Sequence, residues 1–528
     1  MPFLDSIRLR NVLVLLWLAF AGVLAIWAHL ALGLGAFHPN QFDGALFLLQ
    51  VMYAARGLKP YVDYGFLYPP GPALLFGQVL HLRDVAQVLM AVAVFNAAGV
   101  IACVAILMKL ARRTMIVGGA ALVCLGAAVP MACMSLGADP CPITLSCLCF
   151  LLLMMAIESR SRWVCLALAA AALVSTLWRW ERALAILLVF AVGAAGTCLT
   201  AAAGVARNRR RRLMLAGQRV LWPLLAGLVG VGAGLGIMAA IAVPSRSWAA
   251  EKEFVFALPL VILSYRRLPI LLLGSKLIQP VAAGLALLLL AAAVVVAHGR
   301  SIMAWRSTGR SAKAFALLAG PLALLPYSVN RADPVHFLPL TAMLLVSLLA
   351  AAAMYGSATS RWLITATLGI VLAPSAGLLA KQAVLQQVPI NGGVFTADLK
   401  RLTTECSSLI PTDSQSLFVG QKSYKGYVTN IPLLYVAKPD LRPATRFISD
   451  EPGVQNTCRY GSRVASELQR APRPMAVVLD ESPWSLEPNL SAKMASCGRI
   501  ESELASELPA PLGTCTIGAR SFEIGVIR

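Results

Sequence analysis

FHPNQFDGALFLLQVMYAARGLKPYVDYGFLYPPGPALLF, residues Phe37–Phe76, is a long loop-like stretch set between strongly apolar segments. It carries two acids, Asp43 and Asp63, and a turn of sequence Pro-Pro-Gly-Pro at Pro69–Pro72. Acids beside a membrane span are costly unless they pair with other groups or take part in chemistry. Function is therefore most strongly indicated in this stretch.

The composition of the whole chain is that of a membrane protein. Of the 528 residues, 59% are hydrophobic and 13% are charged, about half the charged fraction of an average soluble domain. Apolar runs long enough to cross a bilayer as helices recur between Asn11 and Ala380. We predict a polytopic α-helical membrane protein with about eleven transmembrane helices.

The positive charges predict how the chain is oriented in the membrane. The formal net charge is +21, and many basic residues, such as those of Arg207–Arg212, lie in short connections between apolar runs. Such connections stay in the cytoplasm, so the charge indicates topology and not nucleic-acid binding. Arg8 and Arg10 precede an apolar run too long for a signal-peptide core, which predicts an uncleaved anchor with a cytoplasmic N-terminus.

The chain is predicted to be a multi-pass protein of the cell (inner or plasma) membrane with two domains. Residues 1–380 form the transmembrane domain, with an outer loop over residues 36–84, and residues 381–528 form a small α/β domain on the outer side. Short apolar runs predict its strands, and the later pair brackets a turn. The predicted elements are strands Leu417–Gly420 and Met475–Leu479, helix Ser462–Arg470, and the hairpin of Thr514–Ile517 with Phe522–Ile527.

Four of the twelve cysteines lie in the outer domain: Cys406, Cys458, Cys497 and Cys515. The outer side is oxidising, so two disulfides are predicted, although three pairings are possible and free buried thiols remain an alternative. No Cys/His spacing indicates zinc, and we expect neither a metal nor a cofactor.

Several ionisable groups are predicted to lie at the outer face of the membrane. An acid there can take a proton from an incoming nucleophile, and an arginine can hold a phosphate that gains charge as it leaves. The set suits a reaction on a lipid-linked phosphate. Its members are Asp43, Asp63, Asp139, Arg179, Glu181, Arg266, Arg267, Arg331, Asp333 and His336.

The motifs of the first stretch resemble the first outer loop of the C-type (GT-C) glycosyltransferases, which include protein O-mannosyltransferases and lipid A aminoarabinose transferases. The resemblance lies in an acid just after helix one (Phe42-Asp43-Gly44), a helical stretch to Ala55-Arg-Gly57, then Pro60-Tyr-Val-Asp-Tyr64 and Tyr68-Pro-Pro-Gly-Pro72. Asp139 at the start of helix four and the run from Arg331 to His336 are weaker matches. An outer C-terminal domain is also common in this group.

The resemblance implies a glycosyltransferase that moves a sugar from a polyprenyl-phosphate donor to a glycan, lipid or protein acceptor on the outer face, with inversion. It implies that Asp43 is the general base and that Asp139 positions the acceptor or the base. It further implies that Arg179, Arg331 and His336 contact the donor phosphate, while Asp63, Tyr64 and Tyr68 belong to the substrate loop.

Each of these residues also has a structural interpretation. Asp43 and Asp139 are placed to cap helices, and Asp63 with its neighbouring tyrosines can fix the turn before Pro69. Arg179 with Glu181 can anchor the chain at the membrane interface between two tryptophans, and Arg331 and His336 can be ordinary loop residues.

Three other functions compete with glycosyl transfer. A transporter or flippase of lipid-linked sugars would need charged or broken helices at mid-membrane, whereas the ionisable groups are predicted at the outer edge. A non-catalytic envelope assembly or sensor protein would not need Asp43. A polysaccharide ligase would share the chemistry but centre it on a later, larger loop.

Overall fold

The computed structural model describes parts of residues 12–26 and 339–350, and the segments 42–111, 141–159, 161–203, 209–242, 247–265, 317–326, 402–424, 431–448, 454–480 without 456, 496–508, 511–517 and 520–528. Within them, four helices are long and apolar enough to cross a membrane. Together with the composition, they identify a membrane protein. They are α3 (Val85–Ala111), α4 (Cys141–Ser159), α5 (Arg162–Ala203) and α6 (Arg209–Ala242).

Helices α3 and α4 lie within the region of apolar runs from which the transmembrane helices are predicted. Shorter apolar helices occur at α1 (Val14–Val23), within α2 (Phe42–Ala55) and at α9 (Leu317–Pro326). The cluster predicted as a basic loop at Arg207–Arg212 differs, because α6 already begins at Arg209. The total of about eleven helices and the orientation of both termini stay predictions.

Helix α5 is broken at Arg179, whose φ of −152° and ψ of 88° are not helical. The chain turns back there. Gly227 of α6 packs against Leu187, and Gly230, one helical turn further on, packs against the Ala169 carbonyl. In a straight helix Ala169 and Leu187 would be about 27 Å apart, so the two arms of α5 lie side by side, as predicted for helices five and six.

The stretch before α3 is compact. Gly57, with φ of 85°, ends α2 in a conformation that residues with a Cβ adopt rarely. Residues Pro60–Pro72, which we name the proline loop, follow and lead into a π-helical turn at Ala73–Val79. Gly77 of that turn lies directly against the Val51 carbonyl of α2, so the loop returns to the helix that precedes it.

The segment at residues 248–265, whose sequence is polar and aromatic, is helical. It consists of α7 (Trp248–Lys252), a π-helical turn (Glu253–Ala257) and α8 (Leu258–Tyr265). Its apolar side chains Phe254, Val255 and Leu258 are buried. The polar residues of the sequence obscured this packing face.

Residues 402–528 contain a five-stranded sheet of order β2-β1-β3-β5-β4. Strands β1, β2 and β3 are parallel, and β5 runs antiparallel to both β3 and β4. Strands β1 and β3 are buried along their whole length, as parallel strands covered by helices should be. The elements are β1 (Ser416–Gln421), α10 (Ile431–Ala437), β2 (Arg442–Pro443), α11 (Cys458–Gln469), β3 (Met475–Asp480), α12 (Arg499–Glu507), β4 (Gly513–Ile517) and β5 (Arg520–Ile527).

The predicted strands, helix and late hairpin of this region are confirmed, while α10, β2 and α12 were not predicted. The boundary at residue 381 stays a prediction. The two predicted disulfides are present as Cys406–Cys515 and Cys458–Cys497, with Cα–Cα distances of 5.3 and 5.1 Å. The first joins the start of the domain to β4, and the second joins α11 to the residues just before α12.

Candidate functional site

The proline loop is held in shape by hydrogen bonds from its own residues. The Lys59 amide donates to Asp63 Oδ2 at 2.7 Å. The buried Tyr64 hydroxyl donates to the Gln50 carbonyl of α2 at 2.8 Å. The Tyr61 hydroxyl donates to the Tyr68 carbonyl at 2.6 Å, across the loop. These contacts favour the structural interpretation of Asp63 and Tyr64 over a direct role with substrate.

The turn of the loop is seated on the break in α5. Pro69 and Pro70 are buried, and Gly71 lies so close to the Leu177 carbonyl that a side chain on residue 71 would collide with it. This contact explains why glycine stands between the prolines at this point. The same contact places the loop against Leu177 and Trp178, the two residues of the first arm that directly precede Arg179.

Arg179 lies at the point where loop and break meet. Its guanidinium carbon is 3.4 Å from the centre of the Tyr68 ring, a cation–π contact. Glu181 Oε1 is 3.9 Å from its Nη1, within ion-pair range but beyond hydrogen-bond distance. The Arg179 side chain is 16% exposed, so one edge of this cation reaches the surface. The structure thereby brings together two of the predicted site residues, Arg179 and Tyr68.

An apolar cavity of about 590 Å³ lies below the break, between α3, α4 and the first arm of α5. It is lined mainly by small side chains, with Phe95 among its walls. Phe95 stacks on Trp178 with ring centres 5.2 Å apart and planes within 7°. The cavity therefore adjoins the tryptophan that immediately precedes Arg179. Asn96 and Thr144 also line the cavity, and the Thr144 hydroxyl donates a hydrogen bond to Asn96 Oδ1 at 2.5 Å.

Sequence reasoning missed Glu251, the most unusual acid in the part of the chain that the structure describes. Its side chain is 1% exposed, and Oε1 has no hydrogen-bond partner among the described residues. Burial raises the pKa of Glu251 to about 7. The available signal was its helical spacing from Val255 and Leu258, which puts an acid on an apolar stripe.

The segment that carries Glu251 joins the proline loop to the C-terminal domain. Phe254 packs against Gly65 of the loop and stacks near Phe447 of the domain, with ring centres 5.3 Å apart. Arg463 of α11 donates a hydrogen bond to Glu253. The Gly65 amide donates directly to the Arg446 carbonyl at 2.6 Å. Loop, segment and domain thus form one packed unit.

The remaining predicted site residues are not brought into this cluster by the described structure. The backbone of Asp43 lies in the first turn of α2, and its side chain lies outside the described residues, as do Asp139, Arg331 and His336. Their proximity to Arg179 stays a prediction.

The fold is shared with an archaeal oligosaccharyltransferase. AglB from Archaeoglobus fulgidus, in complex with an inhibitory peptide and a dolichol-phosphate, matches with a TM-score of 0.50 and 11% identity, covering 88% of this chain and 69% of that chain. A second structure of the Archaeoglobus fulgidus oligosaccharyltransferase, tethered through a disulfide to an acceptor peptide with the NVT sequon, has a TM-score of 0.46, 11% identity and coverages of 88% and 69%.

No family model and no curated protein sequence matches the chain. At 11% identity the likeness to AglB shows the fold alone, and at that level it agrees with the resemblance stated above on sequence motifs.

Proposed function

We propose that the protein is a membrane glycosyltransferase that moves a sugar from a polyprenyl-phosphate donor to a cell-envelope acceptor on the outer face of the membrane. The observation that carries the proposal is the placement of Arg179 at a helix break, under the proline loop, in a chain with the AglB fold. AglB has been solved with a dolichol-phosphate, which is a lipid phosphate of the proposed kind.

Arg179 is proposed to bind the donor phosphate. Arginine presents several N–H groups in one plane and suits phosphate oxygens. Its half-buried setting strengthens an ionic contact, because less water competes there than at an open surface. Tyr68 holds the guanidinium from one face, a contact that is compatible with in-plane hydrogen bonds from the same group. Arg331 and His336 are proposed as further phosphate contacts.

The apolar cavity next to Trp178 is proposed to take the first part of the donor's hydrocarbon chain. Its walls are almost free of polar groups, and apolar chains gain about 0.8 kcal/mol for each buried CH₂. A phosphate at Arg179 would leave its chain directed towards this cavity, since Trp178 connects the two. The arrangement supports a lipid-linked donor over a soluble sugar phosphate.

Asp43 is proposed to take the proton from the acceptor hydroxyl as the bond between the sugar and the phosphate breaks. The electrons of that bond leave with the phosphate, so the reaction needs one base and inverts the anomeric carbon. Asp139 is proposed to position the acceptor or the base. The acceptor class, whether glycan, lipid or protein, is open to experiment.

The test is transfer in vitro from a panel of polyprenyl-phosphate sugars to cell-envelope extract. We expect transfer by the wild-type protein and a loss of about 10²–10³-fold in Arg179→Gln, as when one charge-stabilising donor is removed. Arg162→Gln is the matched control, because Arg162 begins the same arm about 25 Å away. Equal rates in the two variants would contradict the proposed role of Arg179.

A flippase is distinguished by reconstitution into liposomes. Movement of the lipid-linked sugar across the bilayer without any transfer product would favour that rival. Neither transfer nor movement, with the protein folded, would favour an assembly protein.

A further inference from the structure

Glu251 lies where three parts of the molecule meet, and its Oε1 has no hydrogen-bond partner among the described residues. Its own segment packs on the proline loop through Phe254 and Gly65, on the second arm of α5 through Phe256 and Trp180, and on α11 through Glu253. A carboxyl group that is 1% exposed and has one oxygen without a hydrogen bond is expensive in its ionised form.

The charged groups around Glu251 are engaged elsewhere. Described residues 220–242 of α6 contain no charged side chain, and Lys252 is exposed and lies near the Trp248 ring. The loop presents the Tyr61 phenol, which interacts electrostatically with Glu251. On the elements packed against the segment, Arg179 lies near Glu181 and Arg463 is bound to Glu253. The other titratable groups on those elements are Lys59, Asp63, Tyr64, Tyr68, Arg182, Arg459, Tyr460 and Glu467.

The geometry points to Glu251 as a positioning residue: as a neutral acid it holds the proline loop on the helix break, and as a carboxylate it loosens the loop. The route is a chain of contacts. Phe254, one helical turn after Glu251, packs on Gly65 of the loop and has its ring centre 6.4 Å from that of Tyr61. The Tyr61 hydroxyl in turn bonds to the Tyr68 carbonyl at 2.6 Å, and the Tyr68 ring lies on Arg179. The consequence for Arg179 rests on the proposed function, whereas the movement of the loop does not.

Glu251 changes its protonation state close to neutral pH. Burial raises the pKa of Glu251 to about 7, so the neutral form predominates below that pH and the buried charge appears above it. A newly formed charge without a cation must gain water or move, and the proline loop is packed directly against the segment that carries it. Donor binding should therefore weaken as the pH rises through neutrality.

The first experiment measures the loop itself, by amide hydrogen exchange of peptides spanning residues 60–72. After correction for the intrinsic rate, protection in the wild-type protein should fall about tenfold between pH 6 and 8.5. Glu251→Gln, and Glu251→Met as a second neutral variant, should show little change. Glu181→Gln, which neutralises a half-exposed acid nearby, should respond like the wild type. An equal pH response in the wild type and Glu251→Gln would overturn the proposal.

The second experiment measures binding of a polyprenyl phosphate over the same pH range. The wild-type Kd should rise several-fold more than that of Glu251→Gln, and the ligand's own titration is common to both proteins. Tyr61→Phe should weaken binding at both pH values, since it removes the bond to Tyr68. If no variant binds the lipid phosphate, the proposed function fails at its donor while the exchange experiment still decides the role of Glu251. Parallel Kd changes in wild type and Glu251→Gln would show that Glu251 does not act on Arg179.

Discussion

The proline loop is bound on two sides by regions of opposite character. On the side of the C-terminal domain, Arg463 is hydrogen-bonded to Glu253, and the domain behind it contains two disulfides. On the side of the helix break, the Tyr68 ring lies on Arg179, Glu181 is 3.9 Å from that arginine, and Gly71 packs against the Leu177 carbonyl. One region is fixed by polar bonds and covalent links, and the other mainly by packing of the loop on the break.

This difference between the two regions bears on which side of the loop could bind a ligand. A cation already bonded to a carboxylate gains little from a phosphate, because the existing bond must be broken first. A guanidinium held by a ring face can donate in-plane hydrogen bonds without losing that contact. The domain thus supports the loop, and the break is the side on which we propose that a phosphate binds.

The largest expected effect is at Asp43, which is proposed to act on the side of the break. Asp43→Asn should lower transfer by about 10²–10⁴-fold, because it removes a general base while keeping the ability to cap a helix. Expression, thermal stability and donor binding should stay close to wild type. Transfer rates of purified, folded variants provide the measurement.

Asp63→Asn is the control for that result. Asp63 receives the Lys59 amide in the loop, so its loss should lower stability more than the rate per folded molecule. If Asp43→Asn transfers sugar at the wild-type rate, Asp43 is a helix cap and the assignment of the base is wrong.

The next effect should appear in the domain, and only in stability. Replacing Cys406 and Cys515 by serine should cost about 2–5 kcal/mol of unfolding free energy, because the bond spans 109 residues of chain. Thermal unfolding in detergent gives the measurement, and Cys165→Ser, at a half-buried free cysteine, gives the control. At a temperature where the variant is folded, transfer should persist. Loss of transfer there would show that the domain takes part in chemistry.

The smallest effect concerns the ring on Arg179. Tyr68→Phe keeps the ring and should leave donor affinity nearly unchanged, whereas Tyr68→Leu should weaken it by about 0.5–2 kcal/mol. The donor KM measures this loss, and kcat should change less. A matching loss in Tyr68→Phe would assign the role to the hydroxyl and not to the ring.

The sequence predicted the domain better than the site. Strands such as Met475–Leu479 are indicated by a run of apolar residues that includes two valines. Four cysteines in a domain expected on the oxidising side predict two disulfide bonds. The pairing of Cys406 with Cys515 depends on which strands are neighbours, which no local pattern contains. Strand β2, with two residues, was too short to give a signal.

For the site, sequence predicted which residues matter more readily than what they touch. Arg179 was recognised as an ionisable group at the outer edge, yet its contact with Tyr68 joins residues that are far apart in the chain. Glu251 stands in a polar segment and was not among the predicted site residues. Its burial accompanies the packing of Phe254 on Gly65 of the loop.

The strand order of the domain also determines when its sheet can form during protein synthesis. Strand β5 lies between β3 and β4, so the sheet cannot close until residue Ile527 has left the ribosome. Gly65, whose amide binds Arg446, is made about 460 residues earlier, which at roughly 5–20 residues per second is on the order of 20–90 s. During that interval the proline loop lacks its contact with Arg446, and chaperones or translocation factors have their best opportunity to bind the loop.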